Sequence, residues 1–178
     1  MNKKLERYEL SVMNKMLRFV WNIVWVLLFR PTPKSFHFWR ILLLRIFGSK
    51  LGVNCHVYPS AKIWAPWNLI MGDRACLAEM VDCYCVDKIQ IGADSTISQY
   101  CFLCTATHDY SKLNMPLLTA PIIIGTNVWI TSAVYVGPGV SIGKGTVVGV
   151  RSAVFSDLPP WVVAFGSPAK PMKTRVIT

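Results

Sequence analysis

Three histidines, His37, His56 and His108, are the side chains of this chain best suited to moving a proton near neutral pH, and their settings differ. His108 falls in Cys104-Thr-Ala-Thr-His-Asp-Tyr110, at the root of a stretch that interrupts an otherwise regular pattern. A neutral imidazole there can take the proton of a hydroxyl as its oxygen attacks an electrophile, which a carboxylate does less readily. His37 sits among aromatic and basic residues and His56 in the first repeat, and both read as structural. Asp109 adjoins His108 and could orient it, but neighbours on a strand or corner rarely face each other, so it reads more readily as a turn former. The pairs Cys83-Tyr-Cys85 and Cys101-Phe-Leu-Cys104 have the spacing of redox or zinc motifs. They lie inside expected strands rather than on a strand-to-helix turn, and Cys83 and Cys101 fall at inward positions where a thiol packs as a small apolar group. No metal is therefore expected, and free thiols suit a reducing, cytoplasmic setting. The chain has neither a nucleophile elbow nor a phosphate loop.

The elements that must hold these residues are legible from a six-residue period. Ile124, Ile130, Val136, Ile142, Val148 and Val154 are evenly spaced, and Val128, Val134, Val140, Thr146 and Ser152 fall four residues after the first five. Gly125, Gly137, Gly143 and Gly149 each follow an aliphatic position. Alternate side chains of a strand share a face, so the small residue and the aliphatic two places later point inward together. The register extends upstream through Leu51, Val57 and Ile63, then Met71, Leu77 and Cys83, then Ile91, Ile97 and Leu103. Three hexapeptides per triangular coil predict an all-β solenoid of about five coils over residues 51–158, each roughly 4.8 Å deep. One long interruption, residues 109–123, follows His108; such loops on a rigid scaffold are where sites are built.

Outside the solenoid lie residues 1–50 and a C-terminal tail, residues 159–178. Residues 1–50 carry ten Lys or Arg against Glu6 and Glu9, so most of the net +10 belongs there and little to the solenoid. No recognition motif accompanies this charge, and nucleic acid is not expected as a partner. The apolar runs Met16–Phe29 and Phe36–Phe47 flank Pro31 and Pro33; the first, interrupted by Arg18 and Asn22, is short for a spanning helix. Early acidic residues and the lack of a small-residue cleavage site argue against a signal or transit peptide. Two basic amphipathic helices fit either an interfacial membrane anchor or a cap on the open first coil.

The hexapeptide coils, Thr107-His108-Asp109-Tyr110, Ile124-Gly-Thr-Asn-Val-Trp-Ile130, Val136-Gly-Pro-Gly-Val-Ser-Ile-Gly143 and Pro159-Pro-Trp-Val-Val-Ala-Phe-Gly-Ser-Pro-Ala-Lys170 resemble the hexapeptide-repeat sugar O-acetyltransferases. Leu28-Phe-Arg-Pro31, Val57-Tyr-Pro-Ser-Ala-Lys-Ile-Trp-Ala-Pro-Trp67 and Val81-Asp-Cys-Tyr84 narrow the resemblance to the colanic-acid-biosynthesis acetyltransferases and extend it over nearly the whole chain. The resemblance implies a left-handed parallel β-helix, the opposite of the usual crossover hand, assembled as a homotrimer with sites between subunits. It implies acetyl-CoA as co-substrate and a sugar or glycan acceptor in exopolysaccharide or lipopolysaccharide biosynthesis, with a lipid-linked precursor fitting the basic N-terminal segment.

By the same resemblance His108 is the general base, Trp129, Ser132, Val150, Arg151 and Lys170 lie along the cofactor, and Asp82, Tyr84, Cys85 and Asp109 lie around the acceptor. Cys85 replaces a more usual polar residue, Arg151 stands where many relatives carry glycine, and Phe155-Ser156 departs from the common pair there. Three other readings share parts of this pattern. A γ-type carbonic anhydrase needs three clustered zinc-binding histidines, which His37, His56 and His108 do not supply. A serine acetyltransferase has a long helical N-terminal domain, which is missing here. A silent scaffold would use the solenoid and leave His108 without a task.

Overall fold

The computed structural model describes residues 5–177, so residues 1–4 of the basic segment and Thr178 of the tail lie outside the described residues. Short strands form wherever the repeat places an inward aliphatic residue, and they stack into the three faces of a prism. Face one stacks Lys50–Leu51, Leu69–Met71, Ile89–Ile91, Ile122–Ile124 and Ser141–Ile142. Face two stacks His56–Val57, Cys76–Leu77, Thr96–Ile97, Trp129–Ile130 and Val147–Val148. Face three stacks Lys62–Ile63, Asp82–Tyr84, Phe102–Cys104, Tyr135–Val136 and Ala153–Val154. Every one of these pairings is parallel, and the prism is a left-handed β-helix.

Five coils are complete, and the expected count is corrected by the start of a sixth. Leu158 bridges to Ile142 on face one, and Val162–Gly166 pairs with Val147–Val148 on face two before turning back antiparallel into Ala169–Thr174. The tail is thus partly solenoid. Its register was hidden because Pro159 and Pro160 break the six-residue spacing.

Aliphatic side chains fill the prism, and the hydroxyls among them are paired. Ser95 Oγ donates to Gly125 O (2.7 Å) and accepts from Val128 N–H (2.9 Å), while Thr146 Oγ1 donates to Pro159 O (2.7 Å). Left unpaired, each would cost about 1–3 kcal/mol. Coils approach so closely at one corner that a Cβ on Gly92 would lie 2.5 Å from the carbonyl carbon of Gly125.

Strand N–H groups of one coil donate to the next, as Lys62 N–H does to Val81 O, while corner bonds run back, as from Arg74 N–H to Val53 O; several strand carbonyls of the first coil still face away from the stack. The N-terminal helices supply the missing donors. Helix α1, Val12–Val24, is capped by Ser11 Oγ accepting from Asn14 N–H and continues as a π-helical turn over Trp25–Phe29; α2 spans His37–Ile46. Arg45 donates to Leu51 O and Gly52 O on face one (2.9 and 3.1 Å), and Arg40 Nε to Val57 O on face two (2.6 Å). On face three Trp21 Nε1 donates to Ile63 O (2.7 Å) and Trp25 Nε1 to Ala61 O (2.9 Å). All three sides are closed, so the segment caps the solenoid.

Candidate active site

His108 leaves the prism on a hairpin. After Phe102–Cys104 on face three the chain forms Ala106–His108, turns, and returns as Leu117–Thr119, with His108 opposite Leu117. Glu6–Arg7 adds a third strand to this hairpin, and Tyr8 N–H donates to Leu117 O (3.0 Å). The N-terminal segment is therefore part of the wall beside His108, which no local signal in so short a strand announces.

The turn is held by Asp109. Its Oδ1 accepts from Ser111 Oγ (2.5 Å) and Ser111 N–H (3.2 Å), and its Oδ2 lies 3.3 Å from Lys112 Nζ. These partners hold its carboxyl below the usual range, the Ser111 hydroxyl first among them. Its carboxylate is thus engaged in the loop rather than on the imidazole. His108 Nδ1 is instead 2.7 Å from Met115 O. A carbonyl only accepts, so Nδ1 carries a proton, and in the neutral imidazole the free lone pair is on Nε2 of an exposed ring. His37 and His56 are stacked on each other at 4.6 Å, and His37 Nδ1 meets Val57 O; burial pushes the His37 imidazole toward its neutral form. Both serve the cap.

Four of the cofactor-expected residues lie along one edge of the prism, on face two and its corner with face three. Trp129 projects from face two, 49% exposed, with Nε1 donating to Ser98 Oγ (3.0 Å). Ser132 follows at the corner between faces two and three, and Val150 and Arg151 stack on it one coil later, with Arg151 N–H donating to Ser132 O (3.1 Å). Arg151 has φ 56°, a left-handed conformation that glycine adopts without strain. Lys170, opposite Phe165 on the closing hairpin, lies on the strand just outside the sixth coil.

Asp82 and Tyr84 lie on face three, but Cys85 does not reach the surface. Its Sγ is sealed between Ala65 N–H (3.3 Å) and Ala65 O (3.2 Å), and burial pushes the thiol up to about 12. The expectation that it lines the acceptor space is corrected accordingly: the thiol ties two coils together. Asp82 is half-buried with Oδ1 unpartnered, and burial raises its carboxyl. Tyr84 packs edge-on against Trp64 at 5.5 Å, and the guanidinium of Arg18, from α1, lies 3.6 Å over the Trp64 ring. Arg18 and Trp64 were not among the expected site residues; the available signal was a cation inside the apolar run Met16–Phe29. All six cysteines are free, and no metal-holding cluster of His, Cys, Asp or Glu occurs among the described residues.

A left-handed hexapeptide prism with an imidazole on an outswung hairpin defines the hexapeptide-repeat acyltransferases. No protein-family model matches the chain. It is 44% identical over 159 residues, 89% of this chain and 87% of the relative, to WcaF of Escherichia coli K12, provisionally named a colanic acid biosynthesis acetyltransferase. A maltose O-acetyltransferase from Clostridium difficile 630 superposes with a TM-score of 0.86 at 26% identity, over 94% of this chain and 90% of that one. A galactoside acetyltransferase in complex with coenzyme A does so with the same score and identity, over 96% and 86%. The chain belongs to the hexapeptide-repeat acetyltransferases and is an acetyltransferase of the WcaF type.

Proposed function

We propose that this protein transfers the acetyl group of acetyl-CoA to a sugar hydroxyl during exopolysaccharide or lipopolysaccharide biosynthesis. The tautomer of His108 carries the reading: the Met115 carbonyl fixes the proton on Nδ1 and leaves Nε2 to take the acceptor's proton as its oxygen attacks the thioester. A backbone N–H near Ser132 is the proposed donor to the developing oxyanion. No protein nucleophile is needed. Trp129, Ser132, Val150, Arg151 and Lys170 suit an extended cofactor because they run along one wall, and Asp82 and Tyr84 fall on the acceptor side. The hairpin leaves the corner between faces three and one, away from that wall, so His108 of one protomer is proposed to serve the wall of the next in a homotrimer.

The outer side of the cap supports a peripheral place at the cytoplasmic face of a membrane. Met16, Phe19, Val20, Ile23, Val26 and Leu27 are all exposed on α1 and its π-helical turn. The helix Val12–Phe29 is long and apolar enough to cross a bilayer, with a mean hydropathy of 1.4 over 18 residues. Trp21 and Trp25, however, fasten its inner side to the first coil, which favours lying in the interface, with the exposed Lys15 and Arg30 available to anionic headgroups. A lipid-linked acceptor would meet the site there.

The activity is tested by mass spectrometry of sugars incubated with acetyl-CoA and the full chain, which should gain one acetyl group; a donor consumed by water alone would contradict it. The membrane reading predicts sedimentation with phosphatidylglycerol vesicles that Phe19→Asp with Leu27→Asp abolishes, and a wild-type chain left in the supernatant would refute it.

A further inference from the structure

We propose that Arg18 recognises an anionic group, a carboxylate or a phosphate, on the acceptor, so that the enzyme selects an acidic glycan. This rests on the sugar-acceptor reading above and concerns the same site. Arg18 is set apart by being sheltered without a partner, since Arg30 and Arg151, which also make no side-chain hydrogen bond or ion pair among the described residues, are exposed. Arg40 and Arg45 are bonded to backbone carbonyls of the cap, Arg74 to Asp94, and Arg175 to Asn127 O and Gly145 O. Arg18 makes no hydrogen bond or ion pair among the described residues, and its Nε is sealed from solvent without a partner. The acidic groups that face it are the phenols of Tyr84 and Tyr8 and the thiol of Cys85, none of them a carboxylate. A sheltered cation without an anion is unfavourable, and a bound anion would relieve it.

The position is the second observation. Trp64, Tyr84 and Cys104 occupy one column of face three on successive coils, since Tyr84 pairs with Cys104 and Trp64 N–H donates to Cys83 O. The His108 hairpin springs from the top of that column, and Thr105 Oγ1 donates back to Tyr84 O (2.9 Å). Tyr8, near Arg18, belongs to the segment paired with Leu117, two strands or roughly 10 Å from the His108 backbone. The Trp64 ring holds the guanidinium against it at 3.6 Å, and a guanidinium presents paired N–H donors that match a carboxylate or phosphate. A sugar hydroxyl at His108 Nε2 and an anion at Arg18 can then belong to one acceptor.

The test compares acetyl transfer by the full chain to methyl glucoside, methyl glucuronide and glucose 1-phosphate, for the wild type, Arg18→Gln and Arg18→Lys. The wild type should prefer one or both anionic sugars, and which one identifies the group. Arg18→Gln should lower kcat/KM for that acceptor about ten- to a hundredfold through KM, bringing the anionic-to-neutral ratio near one. Arg18→Lys should retain part of the preference, and the KM for acetyl-CoA should move by less than about threefold. Transfer without preference for either anion, or equal losses on neutral and anionic sugars, would overturn the role of Arg18 while leaving the enzyme an acetyltransferase. A wild type inactive on all three sugars while acetylating a non-sugar alcohol would instead overturn the acceptor reading, and this proposal with it.

Discussion

Replacing Arg40 by Met should unseat the cap. The side chain is fully buried and donates to Val57 O, Thr32 Oγ1, Pro33 O and Lys34 O at 2.6 to 2.9 Å, so it joins the first coil to the turn between α1 and α2. Methionine fills similar volume but leaves several carbonyls dry and unpaired. Bonds from a charged donor contribute about 1.5–3 kcal/mol each and are not additive within one network. The expected loss is about 3–5 kcal/mol, a large share of the ~5–15 kcal/mol that holds a domain together. Equilibrium urea unfolding at fixed protein concentration, followed by far-ultraviolet circular dichroism, reads it directly. Because α1 also carries Arg18 and precedes the turn that Arg40 holds, KM for the acceptor should rise more than KM for acetyl-CoA. An Arg40→Met protein within about 1 kcal/mol of wild type would refute the reasoning, since burial without net stabilisation would make these bonds incidental.

Gly92→Ala should cost about 1–3 kcal/mol, because its Cβ would lie 2.5 Å from backbone of the next coil that cannot yield without separating two coils; a thermal midpoint equal to wild type would contradict this. Asp82→Asn should stabilise the protein at pH 7. Burial raises the folded carboxyl above its unfolded value, so the ionised form weakens the fold at higher pH and the penalty fades as pH falls through the raised value. The gain should vanish below about pH 4 in paired denaturation curves, and activity should fall if Asp82 holds the acceptor. Equal midpoints at pH 7 would count against an unpaired carboxylate at this position.

The prism was legible because inward positions obey one rule: the series Val128, Val134, Val140, Thr146 and Ser152 had to stay compact wherever the coil turned. The sixth coil was not, since Val162–Gly166 is aligned by pairing with Val147–Val148 after a proline break rather than by spacing. Charge located the basic segment but could not say that Arg40, Arg45, Trp21 and Trp25 would each find a stranded carbonyl, because the edge of a solenoid leaves no mark in its own sequence. His108 stood out as the one histidine at the interruption, yet its tautomer depends on the Met115 carbonyl seven residues away, a backbone atom that any residue there would supply. Arg18 and Trp64 meet across a separation of helix and coil that periodicity does not connect.

The most direct test is steady-state kinetics of His108→Ala with saturating acetyl-CoA and a turned-over sugar acceptor, alongside circular dichroism and sizing to show an unchanged fold and assembly. Loss of the base should lower kcat by about 10²–10⁴-fold while KM for acetyl-CoA stays within about threefold. A variant retaining more than about a tenth of wild-type kcat would contradict proton removal by His108.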